Sequence, residues 1–220
     1  MNEVKALINK EIRLEWRQRY ALNGMLLYVV STVFVCYMSF RLRNNDLNPI
    51  TWNTLFWIIM VFTAVNAVAK SFTQERLGRQ LYFYTLASAE AIILAKIIYN
   101  TLLMLFLSLL GFAFYALVMG NPVGDVIMYL VSILLGALGF SGTLTLVAGI
   151  ASKAENSPTL MSVLSFPILL PMLLMLIKLS KNALDGLERA DSLNEIATLL
   201  AIDAIVLTLS VILFPYLWRS

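Results

Sequence analysis

The stretch Val126–Ala151 reads VIMYLVSILLGALGFSGTLTLVAGIA and contains no charged side chain. A helix needs about 20 predominantly apolar residues to cross the hydrocarbon core of a bilayer, so this stretch is long enough to span a membrane. Further apolar runs of similar length lie on both sides of it, at 21–40, 51–69, 91–119, 159–177 and 196–218. The sequence therefore predicts an all-α, polytopic membrane protein with six transmembrane helices, folded as a single domain over residues 1–220.

The composition excludes most kinds of active site. Apolar residues make up 60 % of the chain and charged residues 13 %, with no histidine and one cysteine, Cys36. The usual zinc sites, Ser-His-Asp triads and Cys-His pairs cannot be built from this chain alone. The string Gly139-Phe-Ser-Gly142 imitates a serine protease motif, but a serine needs a general base to become a nucleophile. We expect no catalytic residue, no metal site and no directly bound cofactor, so that the chain is not itself an enzyme.

The distribution of Lys and Arg predicts the orientation. With six spans both termini lie on one side, and eleven of the 16 basic residues fall on that side against five on the other. Cytoplasmic loops carry the excess of Lys and Arg, so both termini are expected in the cytoplasm. The excess of basic residues in the chain is then explained by its topology and by attraction to anionic lipid. We expect the lipid bilayer, and no nucleic acid, as a partner.

Residues 1–20 predict an amphipathic helix that lies in the membrane interface. Its apolar row has i, i+4 spacing and a largely basic row lies beside it: Val4, Ile8, Ile12, Trp16 and Tyr20 form the first row, and Lys5, Asn9, Arg13 and Arg17 the second. Trp and Tyr suit the depth of lipid headgroups, which favours a membrane anchor. A lever that touches a cytoplasmic partner is the second interpretation, and the two are compatible.

The segment 70–90 is the longest predicted cytoplasmic connection and combines charged with aromatic side chains. The candidates for contact with a partner protein are Phe72, Glu75, Arg76, Gly78, Arg79 and Tyr82. A short helix over 71–77, ended by Gly78, would present this surface to a partner; aromatic side chains that only anchor at the membrane interface are the alternative. Ser88 is predicted to cap the following helix, with Glu90 in its first turn.

Gly and Pro residues within the spans predict local packing. Gly136, Gly139 and Gly142 form the small-residue pattern that lets helix backbones approach within a membrane. Pro167 and Pro171 remove two i→i−4 hydrogen bonds within about one turn of the fifth span. We expect close helix contacts along the fourth span and a kinked or broken helix in the fifth.

Two polar features complete the pattern. Asp203 lies deep within the sixth span, where an ionised carboxylate facing lipid would cost about 2.5–3.5 kcal/mol, so it is expected to face protein or a wet cavity. A functional relay and a structural hydrogen bond to Asn66, Asn100 or a threonine are both open for it.

The segment 178–195 has apolar residues at helical spacing, which predicts an amphipathic segment that lies along the outer membrane surface or dips into it.

This order of elements resembles the permeases of type-2 ABC exporters: six spans, a basic amphipathic helix first, a charged loop between spans two and three, and an amphipathic outer segment before span six. Within that class the sequence resembles the haem exporter protein B (CcmB) family of cytochrome c maturation. The residues that carry the resemblance are KEIRLEWR at 10–17, FTQERLGRQL at 72–81, LAS at 86–88, ILAK at 93–96 and SFPILLPMLL at 165–174. The likeness extends over about residues 5–217.

The resemblance implies a multi-pass subunit of an ABC complex in the bacterial cytoplasmic (inner) membrane. Its implied partners are a CcmA-like ATPase subunit that binds ATP, CcmC-like and CcmD-like haem-handling membrane subunits, and a CcmE-like haem chaperone. Hydrolysis on the ATPase would drive haem delivery or release of the haem-loaded chaperone, with haem as a candidate substrate. One copy of the chain and a homodimer are both compatible with the sequence.

The chain has no G-x-x-x-x-G-K-[ST] motif, so ATP hydrolysis must act on it by contact. Our hypothesis is that ATPase closure moves the segment 70–90 together with residues 1–20, and shifts spans one to three against span five. An exporter of a drug, antibiotic, lipid or glycan shares the architecture and is the main alternative. A membrane enzyme using Asp203 or Glu90 and a purely structural anchor subunit are the others.

Overall fold

The computed structural model describes residues 2–17, 19–41, 47–73, 87–151 and 157–219. In these ranges the chain forms seven α-helices and one 3-10 turn, without a strand. The helices are α1 (Asn2–Arg17), α2 (Arg19–Arg41), α3 (Pro49–Thr73), α4 (Ala89–Met119), α5 (Val126–Ala151), α6 (Ser157–Leu184) and α7 (Leu193–Arg219), and the 3-10 turn is Arg189–Ser192. Among the described helices, the six from α2 to α7 are long and apolar enough to cross a membrane. The predicted all-α fold with six membrane-crossing helices is confirmed.

Helix α5 forms the centre of the bundle, because it contacts α3, α4, α6 and α7 and most of its side chains are buried. Two glycines allow this close packing. A Cβ added at Gly136 would lie 2.7 Å from the indole of Trp57 on α3, and one at Gly139 would lie 2.5 Å from the Asp203 carboxylate on α7. A larger side chain at either position would require Trp57, or Asp203 and Met172, to move.

Helices α3, α4 and α5 are joined by aromatic side chains near the α4–α5 turn, which we call the distal end of the bundle. This distal aromatic cluster consists of Trp52, Phe56, Phe112, Tyr115 and Tyr129. The Trp52 and Tyr115 ring centroids are 4.7 Å apart, and those of Phe112 and Tyr129 are 4.9 Å apart. Such pairs contribute about 0.5–1.5 kcal/mol each beyond their buried area.

The polar atoms of the distal aromatic cluster are also satisfied. The indole N–H of Trp52 donates to the carbonyl of Gly120 at 3.0 Å, and the Tyr115 hydroxyl donates to the carbonyl of Trp52 at 3.0 Å. The Tyr129 hydroxyl donates to Asn53 at 3.2 Å. Because a buried polar group left without a partner is costly, these bonds fix the distal ends of three helices in one arrangement.

Helix α6 differs from the prediction in two ways. It runs without a break through Pro167 and Pro171, so the broken-helix alternative is wrong. It also continues to Leu184, past the predicted end of the span at 177, because Leu179 and Ala183 are buried in the core. The first part of the predicted segment 178–195 is therefore the last two turns of α6, and the remainder is a turn at Gly186 (φ 65°), the 3-10 turn and the start of α7.

Candidate coupling site

The predicted partner-contact segment connects α3 to α4. Of its candidate residues, Phe72 lies in the last turn of α3, and its side chain is outside the described part of the structure. The other candidates also lie outside the described residues: Glu75, Arg76, Gly78, Arg79 and Tyr82. The structure does describe the start of α4, which follows this segment in the chain and would receive a force applied to it.

Helix α4 begins with the predicted cap. Ser88 is extended (φ −68°, ψ 146°), and its hydroxyl accepts a hydrogen bond from the backbone N–H of Ala91 at 3.2 Å. Glu90 lies in the first turn, where a negative charge favours the helix dipole. The predicted N-cap is confirmed, and it fixes the start of α4 at Ala89.

Helix α1 packs against α4 through two polar contacts one turn apart. Lys96 Nζ lies 3.9 Å from Glu11 Oε1, and the Tyr99 hydroxyl donates to Glu15 Oε2 at 3.1 Å. The side chains of Lys96 and Glu11 are only 3 % and 9 % exposed, so this is a buried ion pair. Glu11 also contacts Lys10 on its own helix at 3.2 Å, and loss of a partner from a buried pair is destabilising. The contact therefore specifies one position of α1 on α4.

The two faces of α1 carry opposite charge. Glu11 and Glu15 face α4, whereas Arg13 and Arg17 are exposed. Two residues correspond to about 200° of rotation around a helix, which places the arginines on the face opposite to the acids. The amphipathic helix predicted over 1–20 is thus held to the protein by its acidic face and presents its basic face outward.

The first turns of α4 follow the segment 74–86 in the chain and carry the described polar contacts with α1. Ser88 marks the end of the segment 74–86, and Lys96 lies about 12 Å further along the helix at 1.5 Å per residue. A displacement of this helix end would carry α1 with it through the Glu11 and Glu15 contacts. We call this region, residues 2–17 with 87–99, the proximal coupling region.

Glu11, Lys96 and Tyr99 were missed as site residues at the level of sequence. Lys96 is a single base within a 31-residue apolar helix, and an ionisable residue inside a span is expected to have a specific partner. That signal was available, but the partner was not, because Glu11 lies 85 positions earlier in the chain.

Asp203 faces the interior of the bundle, as predicted. It is 5 % exposed, and its carboxylate lies beside Gly139 of α5, close to the Met172 thioether of α6. Neither of its oxygens has a hydrogen-bond partner among the described residues. The structural alternative, a hydrogen bond to Asn66, Asn100 or a threonine, is not formed in the part of the chain that the structure describes.

At the distal end Asp125 connects three elements. Its Oδ1 accepts from the backbone N–H groups of Ile127 and Met128 at 3.0 and 3.1 Å, which caps α5, and its own N–H donates to the carbonyl of Ala183 on α6 at 2.8 Å. Arg189 Nε donates to Oδ2 at 2.8 Å. This hydrogen bond, together with those from the backbone, holds the pKa of the Asp125 carboxyl below its ordinary value of 3.8.

Six membrane-crossing helices around a central α5, with the amphipathic helix α1 packed against α4, agree with the class of polytopic permease subunits. A family model described as CcmB protein matches residues 2–217 of the 220-residue chain. The chain belongs to the CcmB family, which confirms the resemblance seen in the sequence. The family comprises ABC-type permease subunits of cytochrome c maturation and haem export, which are not themselves catalytic enzymes. No curated protein and no solved structure matches the chain.

Proposed function

We propose that this chain is the membrane subunit through which a separate CcmA-like ATPase drives haem delivery, or release of the haem-loaded CcmE-like chaperone, in cytochrome c maturation. The observation that carries the proposal is the proximal coupling region: α1 is fixed to the first turns of α4, next to the segment that follows α3. ATP is bound by the partner and haem is the substrate of the complex. CcmC-like and CcmD-like subunits are the further partners in this proposal.

The mechanical argument rests on α4. It is a continuous helix of 31 residues, about 46 Å long at 1.5 Å per residue, and its distal end is held by the aromatic cluster. A push on the segment 70–90 therefore acts on a rigid rod that is restrained at its far end. Helices α2, α3 and α4 shift together against α6, and each ATPase state favours a different packing of the bundle.

The orientation follows from the same proposal. An ATPase acts from the cytoplasm, so the proximal coupling region and both termini lie on the cytoplasmic side of the bacterial inner membrane. The excess of Lys and Arg on that side supports this assignment. Asp125, Arg189 and the turn at Gly186 then face the other side.

The decisive experiment replaces two adjacent charges of the segment, Glu75→Ala with Arg76→Ala. We expect normal membrane insertion and normal amounts of assembled complex, but ATP hydrolysis that no longer supports holo-cytochrome c formation. The measurements are ATPase activity of the purified complex and haem-stained cytochrome c in the same strain.

The matched control is Lys181→Ala with Asp185→Ala, which removes one base and one acid from an exposed pair at the opposite end of the bundle (3.4 Å). This control is expected to leave both readouts unchanged. Unchanged coupling in the Glu75 and Arg76 variant would count against the segment as the contact. Normal cytochrome c formation in a strain lacking the chain would favour export of a different substrate.

A further inference from the structure

Asp203 is a buried acid that the proposed coupling mechanism does not use. It lies near the middle of the membrane-crossing segment Arg189–Tyr216, and both of its carboxyl oxygens are buried. Neither oxygen has a hydrogen-bond partner in the part of the chain that the structure describes. An ionised carboxylate without a partner is costly at this depth in a membrane. The surroundings of Asp203 therefore favour the protonated carboxylic acid.

The carboxyl group of Asp203 fills a space that α5 leaves free at Gly139. A Cβ added at Gly139 would lie 2.5 Å from Asp203 Oδ1 and 2.5 Å from the thioether sulfur of Met172 on α6. The carboxyl is thus in close contact with a glycine backbone on one helix and lies beside an apolar side chain on another. Because its oxygens are buried in this packing, water gains access to them when the helices move apart.

Within the described residues, no ion pair or hydrogen bond reaches Asp203 from the elements packed against α7. These elements are α4, α5, α6 and the 3-10 turn, and α5 has no charged residue. The bases of the other three have acidic partners of their own: Lys96 pairs with Glu11, Lys178 with Glu195, Lys181 with Asp185 and Arg189 with Asp125. The acids of these elements are exposed: Glu90 and Asp191. The tyrosine hydroxyls of α4 and α5 donate to other groups: Tyr99, Tyr115 and Tyr129. Asp203 therefore lacks a described counter-charge that would favour its ionised form.

A second buried polar group lies on the same face of α5. Thr143 follows Gly139 by four residues, which places the two on one side of the helix. The Thr143 hydroxyl is buried and has no hydrogen-bond partner among the described residues. Buried polar groups without partners are costly, and water that entered between α5 and α7 would hydrogen-bond both Thr143 and Asp203. Separation of the two helices would therefore satisfy polar groups that the packed arrangement leaves unsatisfied.

We propose that Asp203 is a proton-binding site between α5 and α7: its carboxyl holds a proton while the two helices are packed together, and transfers the proton to entering water when they separate. In this step the O–H bond of the carboxylic acid breaks, its electron pair stays on the carboxylate, and the proton leaves as hydronium. Proton release and helix separation are then linked, so a lower proton concentration favours the separated helices. This inference depends on neither the ATPase partner nor haem.

The first test detects the proton directly by infrared spectroscopy of the full chain in nanodiscs at pH 7. Isotope labelling of the aspartate carboxyl carbon separates aspartate from glutamate, and the carbonyl stretch of a carboxylic acid is distinct from the bands of a carboxylate. We expect a labelled carboxylic acid band in the parent chain and its loss in Asp203→Asn. The control Asp185→Asn removes an exposed acid that is paired with Lys181 at 3.4 Å, and it is expected to retain the band.

The second test measures whether proton release requires separation of the helices. In a Cys36→Ser background, Gly142→Cys with Val206→Cys place two thiols across the contact, where a Cβ at position 142 would lie 3.6 Å from the Val206 side chain. Oxidation then joins α5 to α7. We expect the oxidised chain to retain the carboxylic acid band down to a proton concentration at least about tenfold lower than the reduced chain does. The reduced chain is the matched control, because it has the same sequence.

Three results would overturn the proposal. Absence of the labelled carboxylic acid band from the parent chain at pH 7 would mean that Asp203 is ionised, and this result requires no variant to fold. A band that persists unchanged in Asp203→Asn would belong to another aspartate. Equal pH dependence of the band in the oxidised and reduced chains would show that the proton leaves without separation of α5 from α7.

Discussion

At the scale of single residues, the stripe of glycines in α5 separates into positions with different requirements. A Cβ at Gly139 would lie 2.5 Å from both Asp203 Oδ1 and Met172 Sδ, whereas one at Gly142 would meet Val206 at an ordinary 3.6 Å. We expect Gly139→Ala to lower the free energy of unfolding by about 1–3 kcal/mol, the usual cost of overpacking. Gly142→Ala is expected to change it by less than about 0.5 kcal/mol.

Thermal unfolding of the two variants in the same detergent measures this difference. Because both substitutions add one methyl group to the same helix, each is the control for the other. Equal losses of stability would mean that the close approach of α5 to α6 and α7 is not specific to Gly139.

A second prediction at this scale concerns the Asp125–Arg189 pair. Since the hydrogen bond from Arg189 lowers the pKa of Asp125, the pair stabilises the fold when the carboxyl is ionised. This contribution is complete above the ordinary pKa of 3.8 and is lost as the pH falls through the lowered value. Arg189→Gln is therefore expected to have a lower Tm than the parent at pH 7, and the difference is expected to vanish on acidification below that range. A difference that stays constant down to the lowest pH would contradict the linkage.

The residues that sequence reasoning identified correctly depend on local chemistry. Ser88 was predicted as a cap because a cap needs only its own hydroxyl and a backbone N–H three residues later, and that bond is present. The Glu11–Lys96 pair could not be predicted in the same way, since it depends on how α1 lies against α4. The distal aromatic cluster could not be predicted from the sequence for the same reason, because its rings come from three helices.

At the scale of secondary-structure elements, the position of α1 is the feature most open to test. Lys96→Met keeps the length and apolar stem of the side chain but removes its charge. We expect a loss of about 1–3 kcal/mol, the cost of leaving a buried group without one of its partners, because Glu11 keeps its contact with the partly exposed Lys10 at 3.2 Å. α1 is expected to detach first, so trypsin cleavage at Arg13 and Arg17 is expected to accelerate before the bundle unfolds.

The control for this prediction is Lys181→Met. It removes one partner of an ion pair whose members are both more than 40 % exposed, and such pairs contribute about 0–1 kcal/mol. Faster cleavage in both variants would indicate general destabilisation instead of release of α1.

Helix ends show why hydropathy alone misjudges some element boundaries. An apolar run predicts where a span crosses the hydrocarbon, and it gave the six spans of this chain. It does not predict how far a helix continues beyond the membrane, which depends on tertiary contacts. α6 continues to Leu184 because Trp57 donates to Ser180 at 2.7 Å and Leu179 is fully buried, and neither contact is visible in a hydropathy pattern.

At the scale of the whole molecule, the described contacts restrain the distal end of the bundle. The distal end combines stacked aromatic rings with satisfied hydrogen bonds and the Asp125 contacts. The described contacts between α1 and α4 at the proximal end include two polar side-chain contacts, of which one is a 3.9 Å ion pair. In the proposed mechanism, a push on the proximal end would tilt the helices about the restrained distal end.

The proposed orientation makes a prediction about topology that tests the whole arrangement. In a Cys36→Ser background, Glu3→Cys and Leu187→Cys place one thiol at an exposed position of each end. A membrane-impermeant maleimide applied to intact cells is expected to label Leu187→Cys and to label Glu3→Cys only after the membrane is permeabilised. The cysteine-free chain is the control for background labelling. Labelling of Glu3→Cys in intact cells would place the proximal coupling region on the side away from the ATP pool, where no cytoplasmic ATPase could reach it.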